Sequence, residues 1–358
     1  MSLSQNGHNY MVYPANGSLG YEICRELVEG EFKKGSIEIQ KKKRVHKVIA
    51  VCCSRDAKWV DKLKNLGGVV HVINLDNATR VESWRKALKQ HCNVDCMMLC
   101  TEPPNVKRRD TNGHAHEMSP EQFATSMEVA VEMTSHLYCS CLCVSTAYCA
   151  DDAKYKTWYR LYSAIDKAAD RHFRGYRSVI YHNLMFEALF LNRDEILKDK
   201  KLSWPVSPSS EATPVALHDY SRCCVAVMSH MLKHETTALA HRRADYRVTG
   251  AARMSPQEMI DMMSSSFDKS IEYKQVQRKE WRKSAADSLS PLQIRCLEEI
   301  FDMMEDGNLH NRTKEVKHLT HKTPMSFQSW LKDHEKDFQG QVSSRLAAVV
   351  CRVLCLSF

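Results

Sequence analysis

The amino-acid sequence predicts an α/β fold, a doubly wound parallel sheet with a smaller, mostly helical C-terminal part. In the first half of the chain, β-rich runs alternate with amphipathic stretches, which is the pattern of parallel strands joined by crossover helices. The run 94–100 is almost entirely apolar, as expected of a strand covered by helices on both faces. The alternation stops after Asn183, so a different architecture is predicted from there on.

The first part is predicted to form one domain over residues 1–183. Strands are predicted at 9–13, 45–53, 69–75, 94–100, 137–145 and 177–181. Helices are predicted at 18–30, 56–66, 79–90, 117–136 and 155–173, where apolar residues recur at helical spacing. Right-handed crossovers between such strands wind into a Rossmann-type sheet.

The second part is predicted to form a domain over residues 184–339, followed by an apolar tail at 340–358. Helices are predicted at 184–197, 218–230, 290–305 and 326–338, strands at 246–249 and 271–276, and a loop at 203–214. A further helix is predicted to begin at Ser255, because Pro256 and Glu258 complete a helix-start signature.

Composition narrows the class of protein. The chain has 358 residues, a net charge of +8 and 15 cysteines, which lie mostly in apolar runs and without C-x-x-C spacing. Reduced, buried thiols and no metal site are therefore expected.

No run suits a membrane span and the N-terminus lacks a secretory signal pattern, so we expect a cytoplasmic protein, with the nucleus as a second location. The basic runs at 41–44 and 107–109 come without a nucleic-acid-binding motif, so direct binding of nucleic acid is not expected.

The segment Ala15-Asn16-Gly17-Ser18-Leu19-Gly20 is the most informative motif. It lies between the first predicted strand and the first predicted helix, and its two glycines fill the second and third positions of a dinucleotide-binding glycine pattern. Pro14 occupies the first position. Such a turn lets the backbone approach a pyrophosphate, which the helix N-terminus then binds. The motif therefore predicts a bound dinucleotide.

Residues after the next strands complete the predicted cofactor site. Arg55 follows the second strand, where a basic side chain can pair with the 2′-phosphate of NADP, so NADPH is predicted to be preferred over NADH. Asn74 and Leu75, at the end of the third strand, are predicted to border the adenine. Thr101 and Pro103, after the fourth strand, are predicted to line the cofactor groove.

With these motifs the sequence resembles the NmrA-like group of atypical short-chain dehydrogenases/reductases over about residues 9–338. The segments that carry the resemblance are 15–20, 94–104, 179–187, 215–219, 246–250, 254–258 and 323–327. The resemblance implies an NAD(P)-binding Rossmann domain and a small C-terminal domain that together form a cleft. Some members are reductases, whereas others bind NADP(H) and regulate transcription factors or sense redox state.

The catalytic pattern of short-chain dehydrogenases is absent from this sequence. Those enzymes use Tyr-x-x-x-Lys, and no tyrosine here has a lysine four residues later; Ser163 stands where the resemblance places the lysine. The favoured interpretation is therefore a redox sensor or regulatory protein that acts through a protein partner. The alternative is an NADP-dependent reductase of a small hydrophobic carbonyl or quinone-like substrate, in which Ser145, Tyr159, Tyr162 or Lys167 supplies the proton. A third interpretation, suggested by Pro14, is a scaffold that has lost the cofactor.

Replacing Arg55 by glutamate is predicted to weaken binding of NADPH more than binding of NADH, because only NADPH carries the 2′-phosphate. Fluorescence titration of the variant with each nucleotide measures the difference. An equal loss of affinity for both nucleotides would reject the assignment of Arg55 to the 2′-phosphate.

Overall fold

The structure is a computed structural model that describes residues 7–29, 47–53, 57–91, 93–103, 108–109, 115–116, 118–232 and 244–338. The first stretch of the fold consists of β1 (Asn9–Tyr13), α1 (Ser18–Glu29), β2 (Lys47–Cys52), α2 (Ala57–Lys64), β3 (Val70–Asn74), α3 (Val81–Leu88) and β4 (Cys96–Cys100). After it come β5 (Arg108–Arg109), β6 (Ala115–His116), α4 (Pro120–His136), β7 (Cys141–Ala147), α5 (Lys156–His172) and β8 (Tyr176–His182).

The remaining elements are shorter and less regular. They are a 3₁₀ helix (Phe186–Asn192), α6 (Arg193–Lys198), β9 (Lys201–Trp204), α7 (Leu217–Met231), β10 (Ala244–Val248), α8 (Pro256–Phe267), β11 (Glu272–Gln275) and α9 (Arg278–Ala285). The last are α10 (Pro291–Glu305), α11 (Glu315–Thr320), α12 (Phe327–Asp333) and α13 (Glu335–Phe338).

A seven-stranded sheet, counted over the described residues, forms the centre of the fold in the order β10-β8-β7-β4-β1-β2-β3. β1 pairs in parallel with β2 on one side and with β4 on the other. The strand order therefore reverses between β1 and β4, where open α/β sheets bind their ligands at the carboxyl ends of the strands. Every residue of β4 is buried, as predicted for a strand covered on both faces. The predicted α/β fold class is confirmed.

The chain divides into two compact units that alternate along the sequence. The described residues of the first fall within Met1–Thr146, Arg160–Ile180 and Ser221–Tyr246, and those of the second within Ala147–Tyr159, Tyr181–Tyr220 and Arg247–Phe358. The predicted domain bounds 1–183 and 184–339 stay a prediction, and the tail at 340–358 lies outside the described residues. Within the described part, no helix has the length and apolar character needed to cross a membrane.

Several predicted element bounds were wrong. The strand predicted at 137–145 begins only at Cys141, because the chain first turns after α4 through Tyr138, which has a left-handed φ of 52°. The predicted loop at 203–214 overlaps β9, which pairs in parallel with β11. The helix predicted at 184–197 starts as a 3₁₀ helix, and the one predicted at 326–338 is divided at His334. The helices α9 and α11 were not predicted.

A buried carboxylate holds elements of the second unit together. Glu187 is 8% exposed, accepts a hydrogen bond from the Leu217 amide at 2.9 Å, and accepts another from the Trp330 indole nitrogen at 3.0 Å. Burial raises the pKa of Glu187, and the hydrogen bond from Leu217 opposes that rise. Each carboxylate oxygen thus satisfies a different donor, and one of these donors is at the start of α7.

Replacing Glu187 by glutamine is predicted to lower the free energy of unfolding by about 1–3 kcal/mol, because the new amide nitrogen would face an N–H donor and leave it unsatisfied. Chemical denaturation measures the change. The matched control is Glu280→Gln, whose 61% exposed side chain forms only a long surface ion pair with Lys274 and should change stability little. Equal, small effects of both substitutions would contradict the assigned role of Glu187.

Candidate functional site

Gly20 fixes the geometry of the loop between β1 and α1. A Cβ atom at this position would lie 2.1 Å from the Pro14 carbonyl oxygen and 2.8 Å from the Ala15 Cα, both backbone atoms that cannot move aside easily. Only glycine therefore allows α1 to start this close to the end of β1. This close helix–strand packing is the role of the third glycine in dinucleotide-binding turns. Pro14, at the place of the first glycine, follows a cis peptide bond.

Gly17 has the opposite surroundings. A Cβ atom here would meet nothing within 4 Å, so space is open above the backbone at this point of the loop. α1 begins at the next residue, Ser18, and has no acidic side chain in its first turn. The amides of a first helical turn have no acceptor within the helix and carry the positive end of the helix dipole. The open space at Gly17 and the start of α1 together suit an anion such as a diphosphate.

The other residues of the loop are buried and hold it in place. The Ala15 amide donates to the Val51 carbonyl at 2.8 Å, which continues the pairing of β1 with β2. The Asn16 Oδ1 accepts hydrogen bonds from the Cys53 amide at 3.1 Å and the Cys53 thiol at 3.5 Å. Leu19 is 3% exposed. Ala15, Asn16 and Leu19 thus position the loop, while Gly17 and Ser18 are its more accessible residues.

The residues predicted to contact the 2′-phosphate and the adenine lie at or after the ends of β2 and β3. Arg55 lies outside the described residues. Leu75 is buried and its amide donates to the Cys52 carbonyl at 3.0 Å, which joins the ends of the two strands. The Asn74 Oδ1 is buried and accepts no hydrogen bond within the described part of the chain. An exocyclic amino group, such as that of adenine, is a donor of the kind this oxygen lacks.

The predicted residues after β4 have different surroundings. Thr101 is fully buried, and both its amide and its hydroxyl donate to the Ser145 carbonyl, at 3.0 and 2.9 Å. Its hydroxyl proton is therefore used to join the ends of β4 and β7. Pro103 is half-buried. The assignment of these residues to a cofactor stays a prediction, but the open loop, the first-turn amides and the Asn74 oxygen all fit a dinucleotide.

The predicted catalytic side chains differ in exposure. Ser145 is fully buried two residues before the end of β7, and its hydroxyl donates to the Glu102 Oε1 at 3.4 Å. Tyr159 is 37% exposed, Tyr162 is half-buried and Lys167 is exposed, all on α5. Tyr162 and Lys167 are five residues apart, which places them about 140° apart around a helix and prevents them from acting as a Tyr–Lys pair. Their catalytic roles stay predictions.

The tyrosine that precedes α5 is poorly suited to act as an acid. Tyr155 is buried, and its hydroxyl donates to Asp306 at 2.7 Å and accepts from Asn308 at 2.6 Å. Burial, and then the hydrogen bond to Asp306, raises the pKa of Tyr155 well above its usual value. A catalytic tyrosine needs the opposite shift.

Two side chains at this edge of the sheet were not singled out from the sequence. Glu102 accepts the Ser145 hydrogen bond, and Thr146 has a fully buried hydroxyl that forms no hydrogen bond in the described part of the chain. The position of Glu102 just after a buried strand is a signal that the sequence contains. That Ser145 lies beside Glu102 follows only from the pairing of β4 with β7. Among the described residues, no group of three or more His, Cys, Asp or Glu side chains is arranged to hold a metal ion.

The fold is similar to solved structures of several enzymes. An NADPH-dependent quinone oxidoreductase from Escherichia coli, complexed with NADPH, matches with a TM-score of 0.65 at 12% identity, over 91% of this chain and 99% of that one. Triphenylmethane reductase from Citrobacter sp., complexed with NADP(H), matches with a TM-score of 0.65 at 13% identity, again over 91% and 99%.

A nucleoside-diphosphate-sugar epimerase from Staphylococcus aureus matches with a TM-score of 0.64 at 15% identity, over 91% of this chain and 99% of that one. No protein-family model matches the chain, and no curated protein matches it. At such low identity the likeness shows the fold alone, which is a Rossmann-like α/β fold.

Proposed function

We propose that this chain is an NmrA-like protein that binds NADP(H) at the loop formed by residues 14–20. The contrast between its two glycines carries the proposal. A side chain at Gly20 would overlap the backbone, whereas a side chain at Gly17 would enter open space beside the start of α1. A loop that only had to turn would not need this contrast, but a loop that brings its backbone against a diphosphate does.

NADP(H) is proposed over NAD(H) on two grounds. Arg55 follows β2, where a guanidinium can pair with the 2′-phosphate. The E. coli quinone oxidoreductase and the Citrobacter reductase, which share this fold, were solved with NADPH and NADP(H).

For the use of the bound nucleotide, we propose oxidoreductase chemistry on a small hydrophobic carbonyl compound or the corresponding alcohol. The specific observation in its favour is the Ser145 hydroxyl, held near the end of β7 beside the Glu102 carboxylate. The second candidate is a redox sensor or regulatory protein with a protein partner. The missing Tyr-x-x-x-Lys pair and the raised pKa of Tyr155 favour that candidate.

Titration of the protein with NADPH, followed by nucleotide fluorescence, is expected to show saturable binding and a rise in Tm with nucleotide concentration. No change up to millimolar NADPH would contradict both candidate functions. Loss of NADPH absorbance in the presence of a panel of carbonyls and quinones then distinguishes the oxidoreductase from the sensor, which would bind NADPH without oxidising it.

The substitutions Gly17→Ala and Gly20→Ala are predicted to have opposite profiles. Gly17→Ala should weaken NADPH binding at least tenfold and leave the free energy of unfolding nearly unchanged, because its methyl group meets only the space a diphosphate would fill. Gly20→Ala should lower the free energy of unfolding by about 1–3 kcal/mol or more, because its methyl group overlaps the Pro14 carbonyl. Fluorescence titration and chemical denaturation measure the two effects. Unchanged NADPH affinity in Gly17→Ala would show that the diphosphate binds elsewhere.

A further inference from the structure

The ends of β4 and β7 bring a carboxylate and a hydroxyl together at the edge of the sheet. The two strands pair in parallel with Cys100 opposite Ser145, and Glu102 follows two residues later. On its other side β4 pairs with β1, with Leu99 opposite Tyr13, the residue before the loop 14–20. The pair Glu102–Ser145 therefore lies at the edge where the strand order reverses, next to the strand that carries the proposed nucleotide loop.

Ser145 is held rigidly at this place. Its carbonyl oxygen accepts hydrogen bonds from both the amide and the hydroxyl of Thr101, so the strand end cannot shift without breaking two bonds. Its own hydroxyl is fully buried and donates to the Glu102 Oε1 at 3.4 Å. Catalytic hydrogen bonds are often this long before substrate binds and shorten in the complex.

Two thiols that feel the charge of Glu102 stay protonated. The pKa values of Cys100 and Cys224 are raised chiefly by burial, and the negative charge of Glu102 adds to the rise. Neutral thiols are poor proton acceptors at neutral pH. The carboxylate is thus the stronger base beside the Ser145 hydroxyl.

We propose that Glu102 is a catalytic base that acts through Ser145, in place of the missing Tyr–Lys pair, in the oxidation of a small hydrophobic secondary alcohol. The proposal rests on the proposed function, which supplies the nicotinamide dinucleotide as the hydride acceptor. Ser145 takes the alcohol proton as its own proton passes to a Glu102 oxygen, and the carbon loses a hydride with two electrons to become a carbonyl. Overall, alcohol and oxidised dinucleotide give ketone, reduced dinucleotide and one proton, which Glu102 releases to water. Run in reverse, Glu102 and Ser145 return the proton to the carbonyl oxygen.

The test compares Glu102→Gln and Ser145→Ala with the wild-type chain and with Glu128→Gln, which changes a carboxyl group of α4 that is not part of the proposed pair. Glutamine still accepts the Ser145 hydrogen bond but cannot take its proton. With NADP⁺ and either cyclohexanol or 1-phenylethanol, Glu102→Gln and Ser145→Ala should reduce the rate about 10²-fold or more. Both should bind NADPH at least as tightly as the wild type, and Glu128→Gln should match the wild type in both assays.

A readout that does not depend on turnover follows the Glu102 carboxyl carbon by NMR in ¹³C-glutamate-labelled protein, with its signal assigned by its absence in Glu102→Gln. Ser145→Ala should change the chemical shift of this carboxyl carbon, because the carboxylate loses a donated hydrogen bond.

Each alternative outcome decides against a stated claim. If the wild type binds NADPH but the Glu102 carboxyl signal is the same in Ser145→Ala, the pair is not coupled and this proposal is wrong while the nucleotide site stands. Wild-type rates in Glu102→Gln, or no turnover of the two alcohols or their ketones by the wild type, also overturn it. Failure of the wild type to bind NADPH overturns the proposed function itself. Circular dichroism melting confirms that each variant is folded.

Discussion

The approach of α1 to the end of β1 is the constraint on which the rest of the site depends. The backbone passes so close at Gly20 that a single methyl group would overlap the Pro14 carbonyl. The helix therefore starts directly above the strand end, and its first-turn amides lie beside the point where the sheet reverses its strand order. An anion held by those amides would be within the crevice that open α/β sheets use for ligands.

The hydrogen bonds that hold this edge of the sheet use polar groups of residues predicted to bind the cofactor. The Asn16 side-chain oxygen accepts a hydrogen bond from the Cys53 amide, and the Thr101 hydroxyl donates to the Ser145 carbonyl. A ligand can instead bind polar atoms that form no such hydrogen bond. The Asn74 side-chain oxygen is one, since it accepts no hydrogen bond within the described residues. Rigid placement of the loop and its neighbours thus comes from the predicted site residues themselves, and pre-organisation of this kind favours binding.

Local pattern allowed the sheet and the loop to be predicted, whereas features that depend on strand neighbours could not be. The apolar run 94–100 and the spacing of Gly17 and Gly20 are properties of a short segment, and the structure agrees with the strand and the turn they predict. Ser203 and Trp204 of β9 were predicted as loop because the partner strand β11 lies about seventy residues later in the chain. The hydrogen bond between Ser145 and Glu102 could not be predicted for the same reason, since it requires β7 to lie next to β4.

A negative charge at Glu102 would disfavour binding of a phosphate group but would favour proton transfer. Glu102 follows β4, which pairs with the strand that leads into the proposed nucleotide loop, so a carboxylate there would repel a phosphate-bearing ligand and is not explained as part of a nucleotide-binding surface. It also raises the pKa of the neighbouring Cys100 and Cys224 thiols beyond the effect of burial. Beside a rigidly held hydroxyl, however, the same carboxylate is placed to accept a proton. Proton transfer is therefore the role in which this charge is favourable, and it separates the function of Glu102 from that of the glycine loop.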